Sequence, residues 1–301
     1  NNRLGLARAV NEHLTGDAEV FVAEMGTYGP GEIADLCSWV PPDIAVMTAI
    51  GPVHLERFKT EDNIVVAKSE ILAPASVAVF NVDHPALAAL ADQTAVKTVW
   101  RCGTSEAAND VRVAAGEHGE TRVSIGGEDV GPAPAGVFAS NLACAVAVAL
   151  ELGVPQTALV DRLAALAAPE HRQTVSVGAA GLTIIDDTFN ANPAGAARAV
   201  RLLSELGEGS ARRVVVTPGM VELGPRQDDE NGRFAALAAE VADDLIIVGR
   251  TNRRSLQRGA AGGRARVIVV STRQNAVEWV RSHLEQGDVV LYENDLPDHY
   301  P

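Results

Sequence analysis

Lysine is the charged residue this 301-residue sequence has least of: Lys59, Lys68 and Lys97 are the three, against 39 acidic residues. They follow Phe58, Ala67 and Val96, so no Gly-Lys-Thr/Ser ending exists here to cradle phosphates in a P-loop. Positive charge is short overall. A formal charge of −14 argues against nucleic acid as a partner, because a phosphate backbone is held by clustered Lys and Arg. Cysteine is scarce too: Cys37, Cys102 and Cys144 stand far apart with no CxxC pair. No apolar run reaches the roughly 20 residues of a membrane span without small or polar breaks. The start, Asn1-Asn2-Arg3, has neither an initiator Met nor a charged-then-apolar signal region. The expectation is an internal fragment of a longer product, soluble and cytoplasmic, with no membrane partner.

What is present is apolar content of 47%, enough for a sizeable core, over a length that suggests about two domains. Short Val/Ile runs alternate with Ala/Leu-rich stretches, the pattern of a buried parallel sheet with covering helices. The expected strands are Val20–Glu24, Ile44–Ala49, Val77–Asn81, Thr98–Arg101, Thr183–Asp186, Arg213–Thr217, Asp244–Val248, Arg266–Val270 and Asp288–Tyr292. Helices are expected at Ile64–Leu72, Ala86–Asp92 and Ala139–Leu152. Asp110–Val130, with Gly119, Gly126 and Gly127, reads as antiparallel hairpins forming a β annex beside the parallel sheet. A break at Ala168-Pro169-Glu170-His171 divides the chain into domains 1–169 and 170–301. The fold class is α/β.

Several strand exits carry chemistry, since ligands of open α/β sheets gather at the carboxyl ends of strands. Val20-Phe21-Val22-Ala23-Glu24-Met25-Gly26 runs an apolar stretch into a carboxylate, placing Glu24 to hold a hard cation or simply to cap a strand. Ile50-Gly51-Pro52-Val53-His54 repeats the design, and His54 is either a packing residue or, paired with Glu24, a second metal ligand. Lys68 lies within apolar Ile64–Ile71. It either snorkels to water or is modified to a carbamate, which turns a cation into a ligand for Mg²⁺. In Asp186-Asp187-Thr188-Phe189-Asn190-Ala191-Asn192-Pro193 a strand ends on two acids before a helix opening at Pro193. There Asp187 can accept ribose hydroxyls and Asn190 and Asn192 can orient a nucleotide, unless the segment is plain turn chemistry. Thr217-Pro218-Gly219-Met220-Val221-Glu222-Leu223-Gly224 is a further exit, where a substrate would rest.

Taken in order, these pieces resemble the Mur ligase family, most closely its D-alanyl-D-alanine-adding branch. The resemblance implies a central-domain remnant with a β annex, followed by a Rossmann-like C-terminal domain. It implies ATP and Mg²⁺ as cofactors and nucleotide and peptide substrates, with Glu24 and His54 binding magnesium. Lys68 is then the carbamylated lysine supporting a second magnesium, and Asn141 in Ser140-Asn141-Leu142 contacts adenine. Arg172 and Asp187 hold the ATP, with Asn190 beside them, and Asn81 and Phe189 line the nucleotide site.

The sequence departs from that pattern. The phosphate loop and the first domain, which holds the UDP end of the substrate, are absent, so this stretch alone is expected to be inactive. Ala49 stands where many members have Asn. The tail Leu291–Pro301 replaces the usual Lys-Gly-Ser-Arg ending, which removes basic groups near the substrate. A paralogue acting on another acid and amino acid, or a non-catalytic scaffold retaining the fold, therefore stays open.

Overall fold

In the computed structural model the alternation of apolar runs and Ala-rich stretches resolves into two six-stranded sheets. The structure describes residues 2–51, 55–116, 120–134, 137–166, 173–178, 180–188, 191–207, 209 and 211–294. The chain divides into two units, Asn1–Gly51 with Arg57–Leu166, and Pro52–Glu56 with Ala167–Pro301.

The first unit opens with α1 (Arg3–Glu12) and α2 (Glu32–Trp39), then β1 (Ile44–Met47), the one-turn α3 (Leu55–Phe58) that falls across the division, and α4 (Glu61–Ser69). Thr60 starts α4 by accepting the Asn63 N–H, and a 3₁₀ turn over Glu70–Leu72 ends it. There follow β2 (Val77–Asn81), α5 (Pro85–Gln93), β3 (Thr98–Gly103), β4 (Val111–Ala115), β5 (Thr121–Ile125), β6 (Glu128–Pro132), α6 (Ala139–Glu151) and α7 (Gln156–Ala164). Strands β1 to β4 are parallel and in sequence order, and β4 to β6 are antiparallel. The β5–β6 turn needs left-handed backbone at both central positions, which Gly126 and Gly127 supply at φ 56° and 87°. All of β2 is buried because both sheet faces are covered. Leu142, Ala143, Val146 and Ala147 of α6 pack on Val79, Val111, Val113 and Val123.

One expected strand is not formed. Val20–Glu24 is irregular and belongs to neither sheet. Its apolar side chains stay open, with Val20, Phe21 and Val22 exposed at 51%, 37% and 86%. A strand persists only when a neighbour takes its N–H and C=O groups, and no described strand lies alongside this stretch.

The second unit contains β7 (Thr174–Val177), β8 (Thr183–Asp187), α8 (Pro193–Leu206), β9 (Arg213–Thr217), α9 (Gln227–Val241), β10 (Asp244–Val248), α10 (Arg253–Ala260), β11 (Arg266–Val270), α11 (Arg273–His283) and β12 (Val289–Glu293). The sheet order is β11-β10-β9-β12-β8-β7, parallel except for the edge strand β7, which the sequence did not suggest. Successive strand residues point to opposite faces. Val215, Leu245, Ile247 and Leu291 meet α8, α9 and α10 on one side, while Val214, Val216, Ile246 and Val290 meet α11 on the other. From β8 the chain skips one position to β9, runs on through β10 and β11, and returns to insert β12 between β9 and β8. The carboxyl end of β12 therefore sits at the point where strand order reverses, where such sheets bind ligands. Among the described residues no helix is long and apolar enough to cross a membrane.

The opposite edge is held by charge. The Asp244 side chain, 2% exposed, binds Arg212 Nε at 2.7 Å through one oxygen and Arg266 Nε at 2.8 Å through the other. Replacing Asp244 with Ala leaves both guanidinium groups without that partner and should cost about 2–3 kcal/mol, less than a wholly buried pair because both arginines keep some water. Urea unfolding measures it, and a loss below ~0.5 kcal/mol would class the pair with ordinary surface bridges.

Candidate functional site

In the first unit, two side chains converge on the loop Thr48–Gly51 that leaves β1. Asn81, the last residue of β2, donates from Nδ2 to the Thr48 carbonyl at 2.8 Å. Lys68, half-buried in the last turn of α4, brings Nζ to 3.5 Å from the Ala49 carbonyl. Burial pushes the Lys68 ammonium down from the usual lysine range, and the Glu24 carboxylate opposes this. Glu24 is itself exposed, on the segment that failed to form a strand. The sequence thus brought Glu24 and Lys68 within electrostatic reach, whereas His54 lies outside the described residues.

Glu70, two positions after Lys68, faces elsewhere. Its carboxylate accepts the N–H groups of Gly31 at 2.6 Å and Ala34 at 3.0 Å. Helix α2 lacks a side-chain cap of its own, so Glu70 meets the free donors and positive end of its first turn. Asp83 fixes the next pair of exits in a similar way. Burial opposes its ionisation, but donors on Ser105 and Thr104 outweigh burial and hold its carboxyl below the usual range. Asn141 is exposed in the first turn of α6, with its side chain turned to solvent. Among the described residues no three His, Cys, Asp or Glu side chains gather as a metal site.

In the second unit, Asp187 ends β8 with its side chain buried, and Gln173 Nε2 reaches its Oδ2 at 3.3 Å. Asn192 is the N-cap of α8, its side-chain oxygen accepting the Gly195 N–H at 3.0 Å, so turn chemistry occupies that oxygen. Arg172, Phe189 and Asn190 lie outside the described residues.

Sequence reasoning passed over a buried polar set around the β9 exit. The Pro218 carbonyl accepts from Asn252 at 3.0 Å, the Gly219 carbonyl from Asn294 at 2.6 Å, and the Met220 carbonyl from Asn231 at 2.9 Å. Gly219 has φ 78°, and a Cβ there would lie 2.4 Å from Asn231 Oδ1, so only glycine fits. Thr217 donates to Glu293 Oε2 at 2.9 Å and accepts the Gly219 N–H at 2.9 Å. Glu293 is wholly buried and its other oxygen, Oε1, has no partner among the described residues. Burial, with the neighbouring Asp187 adding, pushes its carboxyl up to about 8 against the Thr217 hydroxyl. The one available signal was an apolar strand, Val289-Val290-Leu291, running straight into Glu293-Asn294.

A cleft of about 730 Å³ on the β annex shares no residue with either cluster. Its arginines, Arg112 and Arg122, are paired with Glu106 and Asp129.

Two family models match the chain: the Mur ligase middle domain over residues 1–149, and the Mur ligase, glutamate ligase domain over residues 171–292. A UDP-N-acetylmuramoyl-tripeptide–D-alanyl-D-alanine ligase of Mycobacterium leprae is 29% identical over 97% of this chain and 63% of its own length. The ligase of the same name from Bacillus subtilis is 27% identical over 97% of this chain and 65% of its own. The chain thus spans a little under two thirds of these curated relatives. Among solved structures, a MurF ligase of Thermotoga maritima in complex with ADP superimposes with a TM-score of 0.77 at 24% identity, over 98% of this chain and 68% of that one. MurF from Acinetobacter baumannii gives 0.71 at 24% identity, over 93% and 62%. With both units matched in order, the chain belongs to the Mur ligase family.

Proposed function

We propose that the protein carrying this chain is an ATP-dependent amide-forming ligase of the D-alanyl-D-alanine-adding kind, working in the cytoplasm on peptidoglycan precursors. A substrate carboxylate takes the γ-phosphoryl group of ATP, an amine attacks the acyl phosphate, and phosphate leaves. Residues 1–169 are its central domain and 170–301 its C-terminal domain. Relatives bearing that activity in their names, matched over 97% of the chain, support the reading.

The observation that carries it within the molecule is Lys68. Desolvation favours its neutral amine, the form that adds carbon dioxide, losing a proton and becoming a carbamate. The residues fit Mg²⁺ in kind: Glu24 offers oxygen, a carbamate on Lys68 offers more, and His54 is the third expected ligand. A bound magnesium supplies the positive charge that lets a carboxylate and a triphosphate approach. Asn141 is assigned to adenine, and Arg172, Asp187 and Asn190 to the rest of the nucleotide. The cradle for the β- and γ-phosphates is not among these residues, so the activity is assigned to the whole protein.

A second reading draws on one feature. The family's basic ending is replaced by the tail Leu291–Pro301, which favours a paralogue joining a different acid and amine. Product mass spectrometry with cell-wall and other acceptors separates the two, and a cell-wall product ends the second reading.

The protein expressed from its complete gene should release ADP only when acid and amine are both present; no amine-dependent turnover with any pair tested would sink the assignment. The 301-residue chain alone should release no phosphate from Mg-ATP, and measurable release would contradict the missing cradle. Lys68→Ala should lower turnover on the order of 100-fold, the scale of losing support around a metal. Unchanged turnover, or an intact mass lacking an acid-labile carbon dioxide adduct in bicarbonate, would remove the carbamate.

A further inference from the structure

Backbone strain in the second unit is concentrated at one edge. Among the described residues four non-glycine residues adopt left-handed backbone, and three of them, Gln173 (φ 54°), Glu222 (φ 64°) and Asn294 (φ 61°), flank the carboxyl ends of β8, β9 and β12. Such conformations persist where surrounding bonds over-determine them, and they gather at working sites. Asparagine is the ordinary residue that adopts this region most readily.

Asn294 is over-determined in that sense. Its N–H donates to the Asp187 carbonyl at 3.0 Å, its Nδ2 to the Gly219 carbonyl at 2.6 Å, and its Oδ1 accepts the Ala191 N–H at 3.3 Å. A single residue thus ties the β8 exit, the β9 exit and the end of β12 together. Glu293 adds a second tie through Thr217 to Gly219. It is also the ladder partner of Asp187, which puts the two carboxyl groups on the same face of adjacent strands.

We propose that Glu293 and Asn294 are positioning residues for the ligase reaction: they hold Asp187 and the Thr217–Met220 loop in one fixed arrangement, so that nucleotide and amine are presented together. The inference rests on the function proposed above.

The groups facing Glu293 explain how this arrangement responds to pH. Thr217 on β9 and Asn294 are uncharged, and Asp187 on β8 is the carboxylate acting on it. From α8, which packs on β12, the charge of Arg198 acts on Asp187. With its folded value raised from 4.5 to about 8, Glu293 is mostly neutral at pH 7 and ionises beside Asp187 as pH rises through about 8. Because the folded state holds the proton longer, the contribution of Glu293 to stability is most favourable below pH 4.5, falls until pH passes about 8, then levels off.

The decisive comparison is the KM for ATP, as a function of pH, in the protein from its complete gene and in two variants. In the unaltered protein KM should rise about tenfold through pH 8 while kcat changes less, because the new Glu293 charge repels Asp187 and loosens its placement while Thr217 still donates to Glu293. Glu293→Gln still accepts from Thr217 but cannot ionise, so its KM should be flat and its unfolding midpoint should lose the decline between pH 4.5 and about 8. Asn294→Ala should raise KM about tenfold at every pH and speed hydrogen exchange at the Ala191 amide by a similar factor. If turnover is present but both variants keep the unaltered KM and pH profile, the inference fails and the ligase reading stands. If the unaltered protein turns over no acid and amine with ATP, the ligase reading fails and takes the inference with it.

Discussion

The second unit depends on the insertion of β12 between β8 and β9. Because the last strand arrives in the middle, its carboxyl end lands between two earlier exits instead of at an open edge. A buried strand end must satisfy its own backbone and that of its neighbours without water. Asn294 does this by bonding to Asp187, Ala191 and Gly219. The β9 exit gains the rest of its partners from Asn231 and Asn252, on or beside the helices that follow β9 and β10. Three asparagines on separate elements thus accept the task that water performs for a surface loop, which lets the loop be both buried and fixed.

The first unit solves a related problem with charge. A helix and its 3₁₀ extension carry Lys68 and Glu70 in opposite senses, the lysine toward the β1 exit and the glutamate to the start of α2. Glu70 accepts the free N–H groups at the start of α2, at the positive end of that helix. Lys68 loses by being ionised, since burial removes its water. Two residues apart, one side chain caps a helix and the other is pressed by burial toward its neutral form. The neutral amine is the reactive one.

The sheets were legible because they are buried on both faces. Runs such as Val77-Ala78-Val79-Phe80 and Val214-Val215-Val216 suit central parallel strands, and both appear as such. Val20–Glu24 has the same composition and is no strand, because pairing is a property of neighbours and not of the run itself. Asn192 illustrates a different limit: its residue type suits a ligand or a helix cap equally, and Pro193 just after it was the sign of a cap. Glu293 and Asn294 were hidden because their meaning comes from Thr217, Asp187 and Gly219, which are 75 or more positions away. Chain proximity carries no trace of such a set.

The two edges of the second sheet show how differently buried acids can be treated. At the amino edge Asp244 has a guanidinium on each oxygen, and Asp243 takes Arg264 on one oxygen and the Arg213 N–H on the other. Those carboxylates are partners in a network that fixes β9, β10 and β11 at their starts. At the carboxyl edge Glu293 has, among the described residues, one hydroxyl donor, a second oxygen without a partner and an acid for a neighbour. A sequence selected for stability alone would place a cation or an apolar residue there, as removing an unsatisfied buried group is seldom costly. Retaining an acid at the strand-order reversal, flanked by left-handed backbone, is the arrangement expected where local stability has given way to placing a ligand.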